Sequence, residues 1–458
     1  MHAVPRVSRL WLGALLGFAL QGGQLGAEED PAISFPFRGL IATNPQGAYS
    51  FVGNDYLGRA LGLDDSSGLR IGGYLIPELD WVAAGGVEPH SVFGSFALGL
   101  HTLLDTQKAF AIPGGTLGVE FLFSSGGANN NAAGSVQLYT NMTANDPIDR
   151  QEMAQLWWHQ RLFDDRLLVQ IGKMNGAGHF NTVLQPVIVS EPHLQDRDIS
   201  NLIYVPVGLN PTLFGRLPPY PETAYGAVVH FRPTADFYLS YGLFDGNIAR
   251  GIATGTEWLP DFNEYLFNIR EVGYAWRLGR LGMPGRVGLG GWLQKGPLYT
   301  PALTIEDDGT GYYLFANQRL WYRHPAADNS GLIGYLQFGH TGSQTLSVNT
   351  YWGGGLTGIG LVPGRPWDTL NLGVAYSRLN DTPGAGAFFF PDVSSNSTDL
   401  RSSELMVQAA YQANFAFGTP ANYWTLSAIL AYTYIPTPGQ RPDLPAAHVI
   451  SARLVALF

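Results

Sequence analysis

The sequence predicts an all-β fold, namely a transmembrane antiparallel up-and-down β-barrel of about sixteen strands. Three observations support it. Charged residues make up 14% of the chain, against roughly 25% in soluble domains. Glycine (58 residues) and aromatic residues (13%) are abundant. Apolar and polar side chains alternate in many short runs, which is typical of strands that have one face in lipid and one in water.

Residues 1–27 are predicted to be a signal peptide that is removed from the mature protein. Arg6 and Arg9 supply the basic end, LWLGALLGFAL (10–20) the apolar run, and LGA (25–27) a small-residue cleavage site. The apolar run is shorter than the roughly 20 residues of a spanning helix. We therefore expect export from the cytoplasm to the bacterial outer membrane.

The segment 28–68 precedes the predicted barrel. Within NDYLGRALGLDDSSG (54–68), apolar residues recur at helical spacing and a polar, glycine-containing stretch follows. A short helix is expected here, either plugging the barrel or lying at its periplasmic rim.

Residues 69–458 are predicted to form the barrel. Clear alternation occurs in TAYGAVVHFR (223–232), REVGYAWRLG (270–279) and SELMVQAAYQANF (403–415). About seventeen such runs can be counted, and single-chain bacterial barrels close with an even number of strands. Sixteen strands are therefore expected.

Charge decides which face of each strand points inward. Arg232, Arg277 and Arg286 lie opposite the larger apolar set of their runs. An arginine on the lipid face near the bilayer midplane costs about 2–4 kcal/mol. These arginines are therefore expected to face an aqueous lumen.

The last predicted strand, HVISARLVALF (448–458), has one apolar face that ends on Phe458. It resembles the end of a bacterial outer-membrane barrel, where the final aromatic residue belongs to the assembly signal. The barrel assembly machinery is therefore an expected partner, in addition to outer-membrane lipid. The net charge of −10 argues against nucleic acid as a partner.

Several stretches together resemble the carbohydrate-selective porin (OprB) family. These stretches follow the family's order and cover most of residues 100–380: LDTQKAFAIPGGTLGVEFLFSSGGANNN (104–131), LWWHQRLFDDRLLVQIGKMN (156–175), YPETAYGAVVHFRPTADFYLSYGLFDGN (220–247), EVGYAWRL (271–278) with GRVGLGGW (285–292), and YWGGGLTGIGLVPGRPWDTLNLGVAYSRL (351–379). The resemblance implies a sixteen-stranded barrel that lets sugars diffuse across the outer membrane.

The sequence offers little support for catalysis, and no cofactor, metal or catalytic residue is predicted. Nucleophile-elbow, P-loop and zinc-protease motifs do not occur, and the chain has no cysteine. GGGLTG (353–358) matches a dinucleotide-binding pattern, but the prolines after it favour a turn.

A mixed polar and aromatic lining is predicted for the lumen, because sugars need planar hydrogen-bonding groups and flat apolar surfaces. Part of this set is also expected only to brace the wall. The candidate residues are His101, Glu120, Arg161, Arg232, Glu271, Arg277, Arg286, Trp292, Arg319, Trp321, Arg323, Glu404 and Gln408.

The run YYLFANQRLWYR (312–323) is the sharpest candidate for sugar contact. Strict alternation predicts an inward ladder of Phe315, Asn317, Arg319, Trp321 and Arg323, with Tyr322 facing lipid.

The preferred function is passive, moderately selective diffusion of mono- and oligosaccharides. A general porin for other small polar solutes and an outer-membrane barrel enzyme or adhesin are the alternatives. The sequence does not distinguish a monomer from a trimer.

Overall fold

The protein is a closed antiparallel barrel of sixteen strands in which each strand pairs with its neighbours in the chain and β1 pairs with β16. The computed structural model describes residues 55–64, 66–142, 149–183, 202–325, 330–391, 397–419 and 422–458. The predicted fold class and strand number are confirmed. The predicted signal peptide lies outside the described residues.

The strands are β1 Leu69–Ala84, β2 Val92–Asp105, β3 Gly115–Ser125, β4 Arg150–Leu162, β5 Leu167–Met174, β6 Ala224–Phe231, β7 Phe237–Asp245, β8 Leu266–Leu278, β9 Met283–Tyr299, β10 Ile305–Tyr322, β11 Gly331–Thr341, β12 Val348–Ile359, β13 Thr369–Leu379, β14 Ser403–Thr419, β15 Asn422–Ile435 and β16 Ala447–Leu457. In the part of the chain that the structure describes, four short α-helices accompany them, α1 Tyr56–Ala60, α2 Thr106–Phe110, α3 Asn129–Ala133 and α4 Ala385–Phe389. Within the described ranges, no helix is long and apolar enough to span a membrane.

The two ends of the barrel differ in the length of their connections. At the end where β1 begins, which we call the turn end, the connections include the tight turns 163–166 and 279–282. At the opposite end, which we call the loop end, the connections include the long segments 126–149 and 175–223. Outer-membrane barrels have short periplasmic turns and longer extracellular loops, so the loop end corresponds to the extracellular side.

The strands alternate as their sequences predict. On β13, Leu370, Leu372, Val374 and Tyr376 are exposed on the outer surface, while the residues between them are buried. This outer apolar surface suits contact with lipid, whereas the inner surface carries many polar side chains.

The glycine run 353–358 lies within β12, so the predicted turn is wrong. A Cβ atom at Gly353 would overlap the hydroxyl of Tyr351, and one at Gly355 would lie 2.7 Å from the Tyr335 ring. Glycine is needed here because tyrosine side chains from the wall lie flat across the strand.

Phe458, one residue beyond β16, continues the backbone hydrogen bonding between β16 and β1. The Gly73 N–H donates to the Phe458 carbonyl (2.8 Å), and the Phe458 N–H donates to the Gly73 carbonyl (3.0 Å). The final residue therefore takes part in the seam between β1 and β16.

The helix α1 lies at the turn end, beside the start of β1. Asp55 precedes it, and its carboxylate accepts a hydrogen bond from the Ile71 N–H (2.7 Å). The short helix predicted for this segment is present, and this contact ties the residue before it to β1.

Candidate functional site: the barrel interior

Two connections from the loop end fold into the barrel and pack against its inner wall. We call residues 129–142, from the β3–β4 connection, the first inner segment. We call residues 175–183 and 202–217, from the β5–β6 connection, the second inner segment. Their hydrogen bonds go to inward-facing side chains of the strands, so the interior has an inner layer that alternation alone does not predict.

Glu404 on β14 anchors the first inner segment. Its buried carboxylate accepts hydrogen bonds from Ser135 Oγ (2.9 Å), the Val136 N–H (2.8 Å) and the Gln137 N–H (3.0 Å). The Gly439 N–H, from the β15–β16 connection, donates to the same carboxylate (2.7 Å). One wall residue thus fixes two loop-end connections.

Gln408, four residues further along β14, contacts both inner segments. Its Oε1 accepts hydrogen bonds from the Ile203 N–H (2.8 Å) and the Tyr204 N–H (3.2 Å). Its Nε2 donates to the Tyr139 carbonyl (3.2 Å) and to Thr433 Oγ1 (2.8 Å). The fully buried amide therefore ties the two segments to each other and to the wall.

Glu271 on β8 holds the first part of the second inner segment. Its carboxylate accepts a hydrogen bond from the Asn181 N–H (2.8 Å). The hydroxyls of Tyr238 (2.7 Å) and Tyr313 (2.6 Å) also donate to it.

Arg286 on β9 holds the neighbouring residue of the same segment. It donates to the carbonyl and to Oγ1 (2.9 Å) of Thr182, and its guanidinium lies 4.9 Å from the centre of the Phe315 ring. Both Glu271 and Arg286 point into the barrel, where they contact protein rather than an open channel.

The amides of β10 and β11 continue this pattern. Asn317 Nδ2 donates to the Val183 carbonyl (3.1 Å), and Gln337 Nε2 donates to the Val207 carbonyl (3.2 Å). A Cβ atom at Gly373 would overlap the Tyr204 hydroxyl. Close approach of the segment therefore requires glycine at this wall position.

Arg216, near the end of the second inner segment, binds the β11–β12 connection at the loop end. Its Nη2 donates to Thr345 Oγ1 (2.6 Å) in the β11–β12 connection. Burial lowers the pKa of the Arg216 guanidinium to about 10. The side chain remains charged at neutral pH.

His101 and Glu120 form a cluster on the wall of β2 and β3. His101 Nε2 lies 3.1 Å from the Glu120 carboxylate, which also accepts a hydrogen bond from Gln155. Tyr74 donates to Glu120, and its hydroxyl also hydrogen-bonds the hydroxyl of Tyr220.

Trp292, on β9, is also buried inside the barrel.

Four of the predicted arginines lie at the turn end, at or beside the tight turns. Arg161 is exposed and lies 3.6 Å from Asp165, and Arg323 donates to the Gly360 carbonyl (2.9 Å). Arg232 follows the last residue of β6, and Arg277 is the penultimate residue of β8. These side chains therefore lie at the turn-end mouth of the barrel.

The inward placement of Trp321 is also wrong. The pairing of β10 with β11 shifts register between Arg319 and Trp321, as at a β-bulge, and the extra residue reverses the alternation beyond it. Trp321 is 49% exposed on the outer surface, and Tyr322 is 7% exposed inside. Tyr322, rather than Trp321, lies beside Arg319, whose guanidinium is 4.4 Å from the centre of its ring.

Sequence reasoning missed an inward-facing polar cluster on β1 and β16. Glu78 pairs with Arg453, and Asp80 accepts hydrogen bonds from Ser451 Oγ and from Asn129 Nδ2 (2.8 Å). Alternation in β1 places both carboxylates on one face, so that signal was available.

A closed sixteen-stranded barrel with an apolar exterior, a polar interior and inward-folded loops is the architecture of an outer-membrane porin. Among the described residues, no cluster of side chains suited to a metal ion occurs. The fold and the interior thus define a channel protein.

The family model for "Carbohydrate-selective porin, OprB family" matches residues 95–455, and the chain belongs to this family. The protein is thus an outer-membrane carbohydrate porin, as the resemblance implied. Comparison with curated proteins gave no match.

The fold is similar to two solved structures of Pseudomonas putida OprB. The high-pH structure is 19% identical with a TM-score of 0.69, and the low-pH structure is 16% identical with a TM-score of 0.52. Each comparison covers 89% of this chain and 98% of the other.

Proposed function

We propose that mono- and oligosaccharides diffuse passively along a route bounded by the two inner segments, and that these segments set the selectivity. The observation that carries the proposal is the engagement of Glu271, Arg286, Glu404 and Gln408 with the segments. Wall side chains that bind the segments act on a sugar indirectly, because they fix the surface that it meets.

The inner segments carry side chains that suit sugar contact. Asn141 is exposed, and Phe214 is half-buried. Tyr220, just beyond the second segment, is also half-buried. Amide and hydroxyl groups can replace water around a sugar while aromatic rings cover its apolar face, and weak serial contacts permit passage without trapping.

Ion current through the purified protein in planar bilayers tests this function. Adding a mono- or oligosaccharide should reduce the current in a concentration-dependent way, whereas a zwitterionic amino acid of similar size should reduce it less. Equal reduction by both solutes would indicate a general porin and contradict the proposal.

Replacement of Arg319 should weaken the sugar-induced block, whereas replacement of Trp321 should leave it unchanged. Arg319 is 1% exposed inside the barrel, so it acts on a sugar by supporting the inner surface, and the loss of one charge-assisted hydrogen bond corresponds to about a tenfold rise in the blocking concentration. Trp321→Ala is a matched control, because this side chain faces outward from the same strand. Titration of the block in planar bilayers measures both effects. A wild-type block in Arg319→Ala would exclude a role for that residue in selectivity.

Deletion of Phe458 should lower the amount of folded barrel in the outer membrane without changing the conductance of assembled molecules. Its two backbone hydrogen bonds to Gly73 extend the seam, and the strand that it ends is the expected signal for the assembly machinery. Heat-modifiable mobility of the protein from membranes measures the folded fraction. Normal assembly of the deletion variant would refute this role.

A further inference from the structure

Basic side chains on the outer, lipid-facing surface of the barrel are unusual, because that surface is otherwise apolar. Along the described strands, the lysine and arginine residues at outward-facing positions are Arg270 on β8, Lys295 on β9 and Arg378 on β13. Each lies in the half of its strand that is nearer the loop end. The distribution is therefore one-sided with respect to the membrane.

Arg270 lies on an apolar part of the outer wall. It is exposed, and the neighbouring outward residues include Leu239 (43% exposed) and Leu289 (49% exposed). Opposite it, on β9, is Gly291, which leaves a notch in the surface because it has no side chain. No hydrogen bond or ion pair joins Arg270 to another described residue.

Polar side chains lie beside Arg270 on the outer surface of the barrel. The Tyr241 hydroxyl donates to Asn268 Oδ1 (2.9 Å), and both residues flank Arg270 on the outer face. Lys295 lies four residues beyond Gly291 on β9, about 13 Å further along the strand. Asp308 is opposite Lys295 in the ladder, but no ion pair joins these two residues.

The depth of Arg270 in the membrane determines which groups it can bind. An arginine on the lipid face costs about 2–4 kcal/mol at the midplane and about 0–1 kcal/mol near the interface. Arg270 is four residues from the loop end of β8, about 10 Å along the barrel axis from it. Its guanidinium can therefore reach the headgroup layer of the extracellular leaflet, where an anionic group would satisfy it.

We propose that Arg270 and Lys295 bind the phosphate groups of a phosphorylated glycolipid of the outer leaflet. A disaccharide headgroup with a phosphate at each end presents two anions that these two long, separated cations can meet. Asn268, two residues from Arg270 toward the loop end, and Tyr241, opposite Arg270 on β7, add hydrogen-bonding groups beside the two cations, while the leucines beside Arg270 contact acyl chains. Arginine forms bidentate hydrogen bonds with phosphate, which gives the site its preference over a neutral headgroup.

Native mass spectrometry of the delipidated protein in detergent tests the proposal. The probes are bisphosphorylated lipid A, its dephosphorylated form and phosphatidylethanolamine. The variant is Arg270→Gln, and the control is Arg280→Gln, which removes the same charge from the exposed β8–β9 turn at the opposite end of the hairpin.

Wild type and Arg280→Gln should prefer the bisphosphorylated probe. Arg270→Gln should bind that probe about fivefold more weakly and lose the preference for phosphate. Lys295→Gln should show a loss in the same direction, which provides a second test on another strand. Equal binding by Arg270→Gln and Arg280→Gln would overturn the proposal. So would a changed oligomeric mass with unchanged lipid binding, because the face would then be a contact between copies of the chain.

Discussion

Replacement of Glu404 by alanine should detach the first inner segment and raise the single-channel conductance. Four donors, Ser135 Oγ and the N–H groups of Val136, Gln137 and Gly439, lose their shared acceptor. Buried donors that lose a charged acceptor are costly, so the free energy of unfolding should fall by about 3 kcal/mol. Planar-bilayer recordings measure the conductance, and urea titration of the folded fraction measures the stability.

Glu264→Ala is the matched control for Glu404→Ala. Glu264 is exposed in the β7–β8 connection, and its removal should change neither quantity. If Glu404→Ala unfolds at the wild-type urea concentration with wild-type conductance, Glu404 does not anchor the segment.

Replacement of Arg286 by alanine should loosen the second inner segment. The guanidinium is fully buried, donates twice to Thr182 and lies against the Phe315 ring, so its loss should cost about 3 kcal/mol. The adjacent Asn181 N–H, which donates to Glu271, should exchange with solvent faster. Hydrogen–deuterium exchange of peptides that cover residues 177–183 measures this change.

Arg280→Ala removes the same charge from the exposed β8–β9 turn and should leave exchange at wild-type rates. Unchanged exchange in Arg286→Ala would show that the segment is held by other contacts.

Alternation predicted the wall of the barrel well because a strand has only two faces. The side chains of Glu271, Arg286, Arg319, Glu404 and Gln408 are all buried inside the barrel, because lipid does not tolerate charge near the midplane. Trp321 shows the limit of this reasoning. A one-residue irregularity at a β-bulge reverses every later assignment on the strand, and local sequence does not mark its position.

The inner segments could not be predicted in the same way. Their conformation depends on contacts across the barrel, such as that between Gln137 and Glu404, which are 267 residues apart. Alternation in the sequence shows that the inner wall is polar, but it does not show which groups the polar side chains contact. Several of the inward carboxylates and amides hold protein backbone, as Gln408 does for Ile203 and Tyr139.

Liposome swelling with wild type and Glu404→Ala tests most directly the claim that docked inner segments make this porin selective for sugars. The two solutes are a monosaccharide and a zwitterionic amino acid of similar size. The account predicts that wild-type liposomes swell faster in the sugar, and that the variant swells faster in both solutes while the difference between them disappears. The same preference for sugar in both proteins would contradict the account, because selectivity would then not depend on the anchored segment.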